Sequence, residues 1–568
     1  MNGRSEVVAQ YSETRTYEVL AADLQGFGVE AAFGLMSDDT ALFVVALEAV
    51  GIRFFGVRHE NNAIVMAEGY AAAAGRVGVA VIGRGPGAAN CINAAIHSSR
   101  TGAAVLIVTG LSPHGSVAIN EMGPDYKHAD TGKIFQAAGL QTYTATSAAA
   151  ARAVLATAYY TAAKGGAVVL QLPVNVQLGP AHTWETEPVN KIAPGAPPRA
   201  SARPSAVAAA TAMLDASRQA IIVAGYGGFR AGAKDTLVRL AEKIGALLIT
   251  SLRAKDLLRG SPYDLGVAGS FSHSIARRYL AQVDCALVVG ASLNLLTSSF
   301  GEFIPSVPLI QIDADRTHIG RYCYADIALI GDAKNVVEQL LLAARDRSLE
   351  DKPFHAPEIL EEIAAFRHLN DFKESSREQS IDMRSLALEL DRLLPVDRDV
   401  IFDMGNFFAI APYISVLSPD CLRYTGDFGS IGLGLGTALG VAAAKRGRST
   451  VLFIGDGSLL MSLGELETMA REDLPLIVIV LNDNAYGAER HFLELRGQPI
   501  GKSVFPAIDF APIAQSFGIE SRSVRSYAEL VGLSGMFASL NTPLLIDCKI
   551  NPNIAAPFLS EFARLEGH

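Results

Sequence analysis

The feature that most restricts this chain's fold is a repeated alternation of short runs, apolar at nearly every position and rich in β-branched residues, with longer helical stretches. Between residue 16 and about 185 the runs are VGVAVIG at 77–83, AAVLIVTG at 103–110 and AVVLQLPV at 167–174. Runs without a polar face belong to parallel strands covered on both sides, and parallel strands need crossover helices to connect them. The pattern recurs with QAIIVAG, ALLIT, CALVVG and PLIQID between about 206 and 345, and with DVIFD, STVLFIGDG, PLIVIVLND and PLLIDCKI from 381 onward. At 568 residues the chain exceeds a single core, and a prior of roughly 150 residues per domain gives three or four. We read three, at 1–185, 206–345 and 381–568, each an α/β unit with a doubly wound parallel sheet. TEPVNKIAPGAPPRASARPS, 186–205, carries five prolines and reads as a linker, and the charged segment 345–380 as part helix, part solvated connector.

Composition narrows the function. Half the residues are apolar and 19% are charged, the profile of a soluble α/β enzyme. The net charge of −10 is spread along the chain with no basic stripe, which argues against nucleic acid as a partner. No run of about eighteen uncharged apolar residues exists and the first twenty residues lack the apolar centre of a signal peptide, so a cytoplasmic protein with no membrane segment is expected. Cys91, Cys285, Cys323, Cys421 and Cys548 are scattered without a CxxC pair and read as reduced core thiols.

Two strand ends carry the chemistry. STVLFIGDG closes in Gly455-Asp456-Gly457-Ser458, and PLIVIVLND runs into Asn482-Asp483-Asn484. The carboxyl edge of an open α/β sheet is where ligands bind. Glycines beside Asp456 let the backbone approach a phosphate, and the helix that follows can aim N–H groups at it. Asp456 and Asp483 can supply carboxylates to a hard, octahedral Mg²⁺ that keeps phosphate oxygens among its ligands. The 24 residues from Ser458 to Leu481 leave room for one helix and a return strand. Taken alone, Gly-Asp-Gly is a common tight turn.

With this spacing the sequence resembles the thiamine-diphosphate enzymes of the pyruvate decarboxylase and acetolactate synthase superfamily, whose signature is GDG, then NN after about 24–27 residues. The resemblance implies pyrimidine-binding, central and diphosphate-binding domains in that order. It implies thiamine diphosphate and Mg²⁺, the metal held by Asp456, Asp483 and the carbonyl of Ala485, with Gly457 and Ser458 at the diphosphate. The family usually has Asn at the position of Asp483. VRHENNAIVMAEGYAAAAGRVGVAVIGRGPGAAN, 57–90, matches the family segment that runs from HE to GPGA, so Glu60 is implied as the glutamate that protonates the aminopyrimidine ring and so prepares removal of the C2 proton. Such an acid needs an apolar site to lift its pKa. Ala63, Met66 and Ala67 are expected to pack the following helix against the neighbouring sheet. In TGDFGSIGLGLGTALG, 425–440, Ile431 is implied as the wedge between the cofactor rings and the carbonyl of Gly429 as an acceptor for the ring amine. Asn406 in DMGNF is implied as a diphosphate contact. Because the first domain of one subunit meets the third of another in this superfamily, a homodimer or homotetramer with active sites at subunit interfaces is expected.

The substrate is read more coarsely, as a small 2-oxo acid or an acyl-CoA-type molecule. In Phe33-Gly34-Leu35-Met36-Ser37-Asp38-Asp39, Asp38 falls on an acid of the decarboxylases, with Met36-Ser37 in place of the usual Pro-Gly, and Glu489 falls on a second acid that acetolactate synthases lack. In the segment 120–128, Tyr126 and His128 are candidates to protonate or orient a substrate oxygen. IIVAGYGG, 221–228, resembles the domain that holds FAD in acetolactate synthase and ADP in oxalyl-CoA decarboxylase, but Gly290-Ala-Ser-Leu-Asn-Leu-Leu replaces the synthase's Arg-Phe-Asp-Asp-Arg, leaving a central nucleotide open. The leading expectation is a thiamine-diphosphate lyase or carboligase of the acetolactate-synthase-like type, acting on a 2-oxo acid or a related 2-hydroxyacyl substrate. The alternatives are a 2-hydroxyacyl-CoA lyase or 2-oxo acid decarboxylase and, in another class, a nucleotide-binding protein without thiamine chemistry.

Overall fold

The structure, a computed structural model, describes residues 14–113, 125–181, 199–302, 307–444, 447–538 and 542–565. Among these residues eighteen strands form three six-stranded sheets in which every pairing of named strands is parallel. The first contains β1 (Ala31–Gly34), β2 (Arg53–Gly56), β3 (Gly78–Ile82), β4 (Val105–Leu111), β5 (Gln141–Thr144) and β6 (Ala167–Pro173), in the order β2-β1-β3-β4-β6-β5. The third contains β13 (Arg398–Phe402), β14 (Leu422–Tyr424), β15 (Ser449–Gly455), β16 (Leu476–Asn482), β17 (Glu520–Val524) and β18 (Leu544–Lys549), in the order β14-β13-β15-β16-β18-β17. Counted from their own first strands, the two orders are the same. The sheet between them, of β7 (Ala220–Ala224), β8 (Leu247–Thr250), β9 (Asp264–Val267), β10 (Cys285–Val289), β11 (Leu309–Asp313) and β12 (Ile327–Ile330), has the order β12-β11-β10-β7-β8-β9. That is the dinucleotide-fold order 3-2-1-4-5-6 read from the other edge.

Each apolar run of the sequence is an inner strand. β4, β15 and β16 are buried at all or all but one position, and their side chains join crossover helices in the cores. The first and third domains share one of those cores, which contains Met66 and Ala67 as well as Leu439 and Leu452. At its centre helix Glu60–Ala74 lies on helix Gly434–Ala444. A β-carbon on Gly69 would collide with the carbonyl of Thr437, and one on Gly440 with the carbonyl of Met66. Ala63, Met66 and Ala67 share a core with residues of β3 and β4, the backbone of Ala67 lying on β3 at Gly78 and the carbonyl of Met66 on the other helix at Gly440. Glycine on both sides lets the two backbones touch.

The connector after the central sheet is docked rather than solvated. Phe354 is fully buried in the central core, the His355 ring stacks on Tyr263 at 4.0 Å, and helix Pro357–Ala365 lays Ile359 and Ile363 on the same core. Of the proline-rich linker only 199–205 lies among the described residues. The last described helix, Pro557–Leu565, returns to the central domain, where Ser270 donates to Glu561. No described helix is long and apolar enough to cross a membrane.

Candidate active site

β15 and β16 run side by side with Gly455 opposite Leu481, so Asp456 and Asp483 leave neighbouring strand ends. The intervening chain forms two helices, Asp456–Ser462 and Glu465–Arg471, where the spacing had suggested one. Around the strand ends lies a cavity of about 210 Å³, and Asn406, Gly429, Ile431, Asp456, Gly457, Ser458, Asp483, Ala485 and Glu489 all line it. Four separate segments therefore converge on one edge, the third sheet's carboxyl edge.

Local bonding explains how each is held. Asn482 donates to Asp547 at 3.0 Å and to the Ile508 carbonyl at 2.9 Å, pinning the end of β16. Asn484 then takes a left-handed turn with φ of 56°, which asparagine tolerates better than most residues. Asp403, at the end of β13, accepts from the backbone N–H groups of Gly432 at 3.0 Å and Gly434 at 3.1 Å, fixing the loop that presents Gly429 and Ile431. Burial pushes the Asp403 carboxyl up to about 6. Sequence reading overlooked it, although its place at a strand end in the same segment as Asn406 was a usable sign. Asn406 itself is bound on both sides of its amide, to the Ile554 carbonyl and the Ala556 N–H, each at 2.7 Å. Its side chain thus holds the C-terminal segment against the cavity that it lines.

The acid pair fits a cation. Asp456 is buried, one oxygen accepts from Gly457 N–H at 2.9 Å, and the other, Oδ2, is buried without a hydrogen-bond partner among the described residues. A carboxylate oxygen in that state is costly unless an ion completes it. Burial first, and then the nearby charge of Asp483, raise the proton affinity of Asp456, and burial does the same for Asp483. Among the described residues no three His, Cys, Asp or Glu side chains converge on a metal position. Two carboxylates leave the remaining positions to a backbone carbonyl, water and ligand oxygens, the set Mg²⁺ accepts. Gly457 keeps the wall open, since a β-carbon there would stand 2.7 Å from the Tyr486 ring.

The other predicted residues lie elsewhere on this chain. Glu60 is half-buried at the start of its helix, outside the lining of the cavity. Asn90 donates to it at 3.1 Å, and the Gly87 backbone lies close by. The loop 83–87 joins Glu60 to a charged cluster, for the Lys127 backbone packs on Gly85. Asp38 pairs there with Lys127 and more distantly with Arg84 at 3.8 Å, and the Lys127 bond above all holds its carboxyl down at about 2. Arg84 also pairs with the buried Asp125 at 2.6 Å, and His128 Nδ1 is 3.8 Å from Asp125. Tyr126 is exposed. Asp39, Arg84, Asp125 and Lys127 were not singled out by sequence. Asp39 is the structural member, buried against Gly83 and Gly110 and accepting from Ser37 Oγ at 2.6 Å and Arg84 N–H at 2.9 Å. That bonding secures the turn in which Met36-Ser37 replaces Pro-Gly. The segment 120–124 lies outside the described residues.

In the central domain the switch point lies between β7 and β10. Gly225 and Gly227 press against Gly290 there, backbone on backbone, and Ser270 N–H donates to the Leu296 carbonyl at 2.9 Å. The chain's own segment after β10 therefore packs onto the turn after β9.

Two sheets of identical order flank a dinucleotide-type sheet, and a buried acid pair stands beside a glycine turn at a carboxyl edge: this is the build of a multidomain α/β cofactor enzyme. Family comparison specifies which. Residues 14–138 match the thiamine pyrophosphate enzyme N-terminal TPP binding domain, 207–340 its central domain and 403–548 its C-terminal TPP binding domain. The chain belongs to the thiamine pyrophosphate enzyme family, and is a carboligase or decarboxylase dependent on that cofactor. It is similar to a probable acetolactate synthase large subunit of Methanocaldococcus jannaschii, 27% identical over 96% of this chain and 94% of that protein. Acetolactate synthase isozyme 3 large subunit of Escherichia coli is 26% identical over 88% of each chain. A probable 2-ketoarginine decarboxylase of Pseudomonas aeruginosa is 28% identical over 90% of each. The two matched cofactor-binding domains set aside a nucleotide-binding protein without thiamine chemistry.

Proposed function

We propose that this protein uses thiamine diphosphate and Mg²⁺ to make or break a carbon–carbon bond next to the carbonyl of a 2-oxo acid or a related 2-hydroxyacyl compound. The observation that carries the reading is the partnerless Asp456 Oδ2 beside Asp483, on an edge reached by Ile431, Gly429 and Ser458. Asp456, Asp483 and the carbonyl of Ala485 would hold the metal, with Gly457 and Ser458 at the diphosphate. When bound, the cofactor supplies a carbon nucleophile and an electron sink. The protein's part is placement and charge control. Ile431 sets the shape of the wall, the Gly429 carbonyl accepts a hydrogen bond, and Glu60 holds a proton for the ring nitrogen. On its own chain Glu60 is outside the cavity lining, which supports delivery to a partner subunit's site and so a homodimer or homotetramer.

Within this class the similarity along the whole chain leans toward acetolactate synthase, whereas the acids Asp38 and Glu489 lean toward decarboxylase or 2-hydroxyacyl-CoA lyase chemistry. Glu489 lines the cavity, in the first turn of helix Gly487–Leu495, and has no ion pair among the described residues. Asp38 stays ionised at neutral pH, so it acts there as a charge rather than as a proton donor. Tyr126 and His128, on either side of its partner Lys127 in the sequence, are the candidates to orient a substrate oxygen. Incubating the holoenzyme with pyruvate, benzoylformate and a 2-hydroxyacyl-CoA and identifying the products tests the assignment. Aldehyde from the oxo acids or from the thioester supports this chemistry, acetolactate from pyruvate favours the synthase, and no turnover of any of the three contradicts the proposal.

A further inference from the structure

The turn that presents Glu60 is anchored from the third domain. Glu465 is fully buried, yet no Lys or Arg among the described residues forms an ion pair with it. Its Oε1 instead accepts from the backbone N–H of Arg58 and from Asn62 Nδ2, both at 2.9 Å, and its Oε2 from Thr468 Oγ1 at 2.7 Å. Arg58 and Asn62 stand two residues before and two residues after Glu60. A buried carboxylate is tolerated when donors satisfy it, and two of these three come from the strand-to-helix turn of another domain. Arg58 adds a second tie, its Nε donating to Glu467 at 2.7 Å. The opposite side of the turn is fixed within the first domain, where Asn61 Oδ1 accepts from Ala94 N–H at 2.9 Å. Glu465 opens the helix that follows Asp456–Ser462, so a single stretch of chain joins the acid-pair loop to the Glu60 turn.

We propose that Glu465 is a positioning residue for Glu60, with Oε1 setting the direction in which the Glu60 carboxyl leaves the helix. The inference rests on the reading of Glu60 as the proton-holding acid. Displacement by about 1 Å can cost about 100-fold in rate when geometry is the contribution. The consequence should therefore show in cofactor activation and not in cofactor affinity.

The test uses holoenzyme loaded with thiamine diphosphate and Mg²⁺, and reads the exchange of the cofactor's C2 hydrogen for deuterium by acid quench and proton NMR, beside the dissociation constant for the cofactor. Glu465→Ala should slow exchange about 10- to 100-fold with cofactor affinity little changed. Glu465→Gln should recover most of the rate, because its amide oxygen can take the place of Oε1 while its NH₂ meets Thr468. Asn62→Ala, which keeps Glu465 and tests the same bond should the alanine variant of Glu465 fail to fold, should slow exchange by less. Wild-type exchange in Glu465→Ala or in Asn62→Ala would overturn the proposal, as would a Gln variant no faster than a folded Ala variant. Glu60→Gln separates this from the underlying reading: wild-type exchange in that variant overturns the role of Glu60 itself, whereas exchange lost there and normal in Glu465→Ala overturns only the positioning.

Discussion

Gly69 and Thr437 touch backbone to backbone, in helices more than three hundred residues apart in sequence, with no room for a β-carbon between them. The first and third domains are thereby locked at a distance set by the absence of a side chain. Gly69→Ala should push the helices apart and lower stability by roughly 1–3 kcal/mol, the usual penalty of overpacking. Thermal melting of the apo-protein measures it, and an unchanged or higher Tm contradicts the contact.

Glu68, the neighbour of Gly69, gives the fold a pH dependence. Burial, outweighing Arg423, Arg253 and a bond from Thr437 at 3.2 Å, pushes its carboxyl up from 4.5 to about 7. A carboxyl whose folded pKa lies above its unfolded one favours the fold while protonated. That stability is full below about 4.5 and is lost as pH rises through about 7, on the order of 3 kcal/mol in all. Glu68→Gln should match the wild type near pH 5 and melt several degrees higher near pH 8. Parallel melting curves across that range would contradict it.

The central switch point bears on a nucleotide. Gly225 and Gly227 meet Gly290 directly, and the segment carrying Leu296 lies on the turn at Ser270. A phosphate brought to this turn would find Gly225 and Gly227 already closed on Gly290. Purified protein should be colourless, and added FAD or ADP should leave activity and Tm unchanged. A bound flavin spectrum would contradict this.

What could be read from sequence follows burial. Every strand quoted from its apolar run is an inner strand of its sheet. The six edge strands, β2, β5, β9, β12, β14 and β17, gave no such run, because an edge strand is covered less completely and need not be apolar throughout. β2 reads Arg-Phe-Phe-Gly and β17 Glu-Ser-Arg-Ser-Val, with exposed positions in both. β1 escaped as well, since Ala-Ala-Phe-Gly is fully buried yet too short and Ala-rich to stand out. In the site, residues next to a glycine turn at a strand end were legible, as Asp456 and Asp483 were. Asp403, Glu465, Arg84 and Lys127 were not, because their significance lies in partners brought close only by folding.

Asp456 and Asp483 differ in how replaceable they should be. Asp483→Asn restores the residue usual in the family and keeps an oxygen ligand, whereas Asp456→Ala removes the partnerless oxygen itself. Titration calorimetry of thiamine diphosphate into the apo-protein with and without Mg²⁺ compares them directly. The acid-pair site predicts binding that requires Mg²⁺, survives in Asp483→Asn and is lost in Asp456→Ala; binding of wild-type strength in Asp456→Ala, or binding indifferent to Mg²⁺, would contradict it.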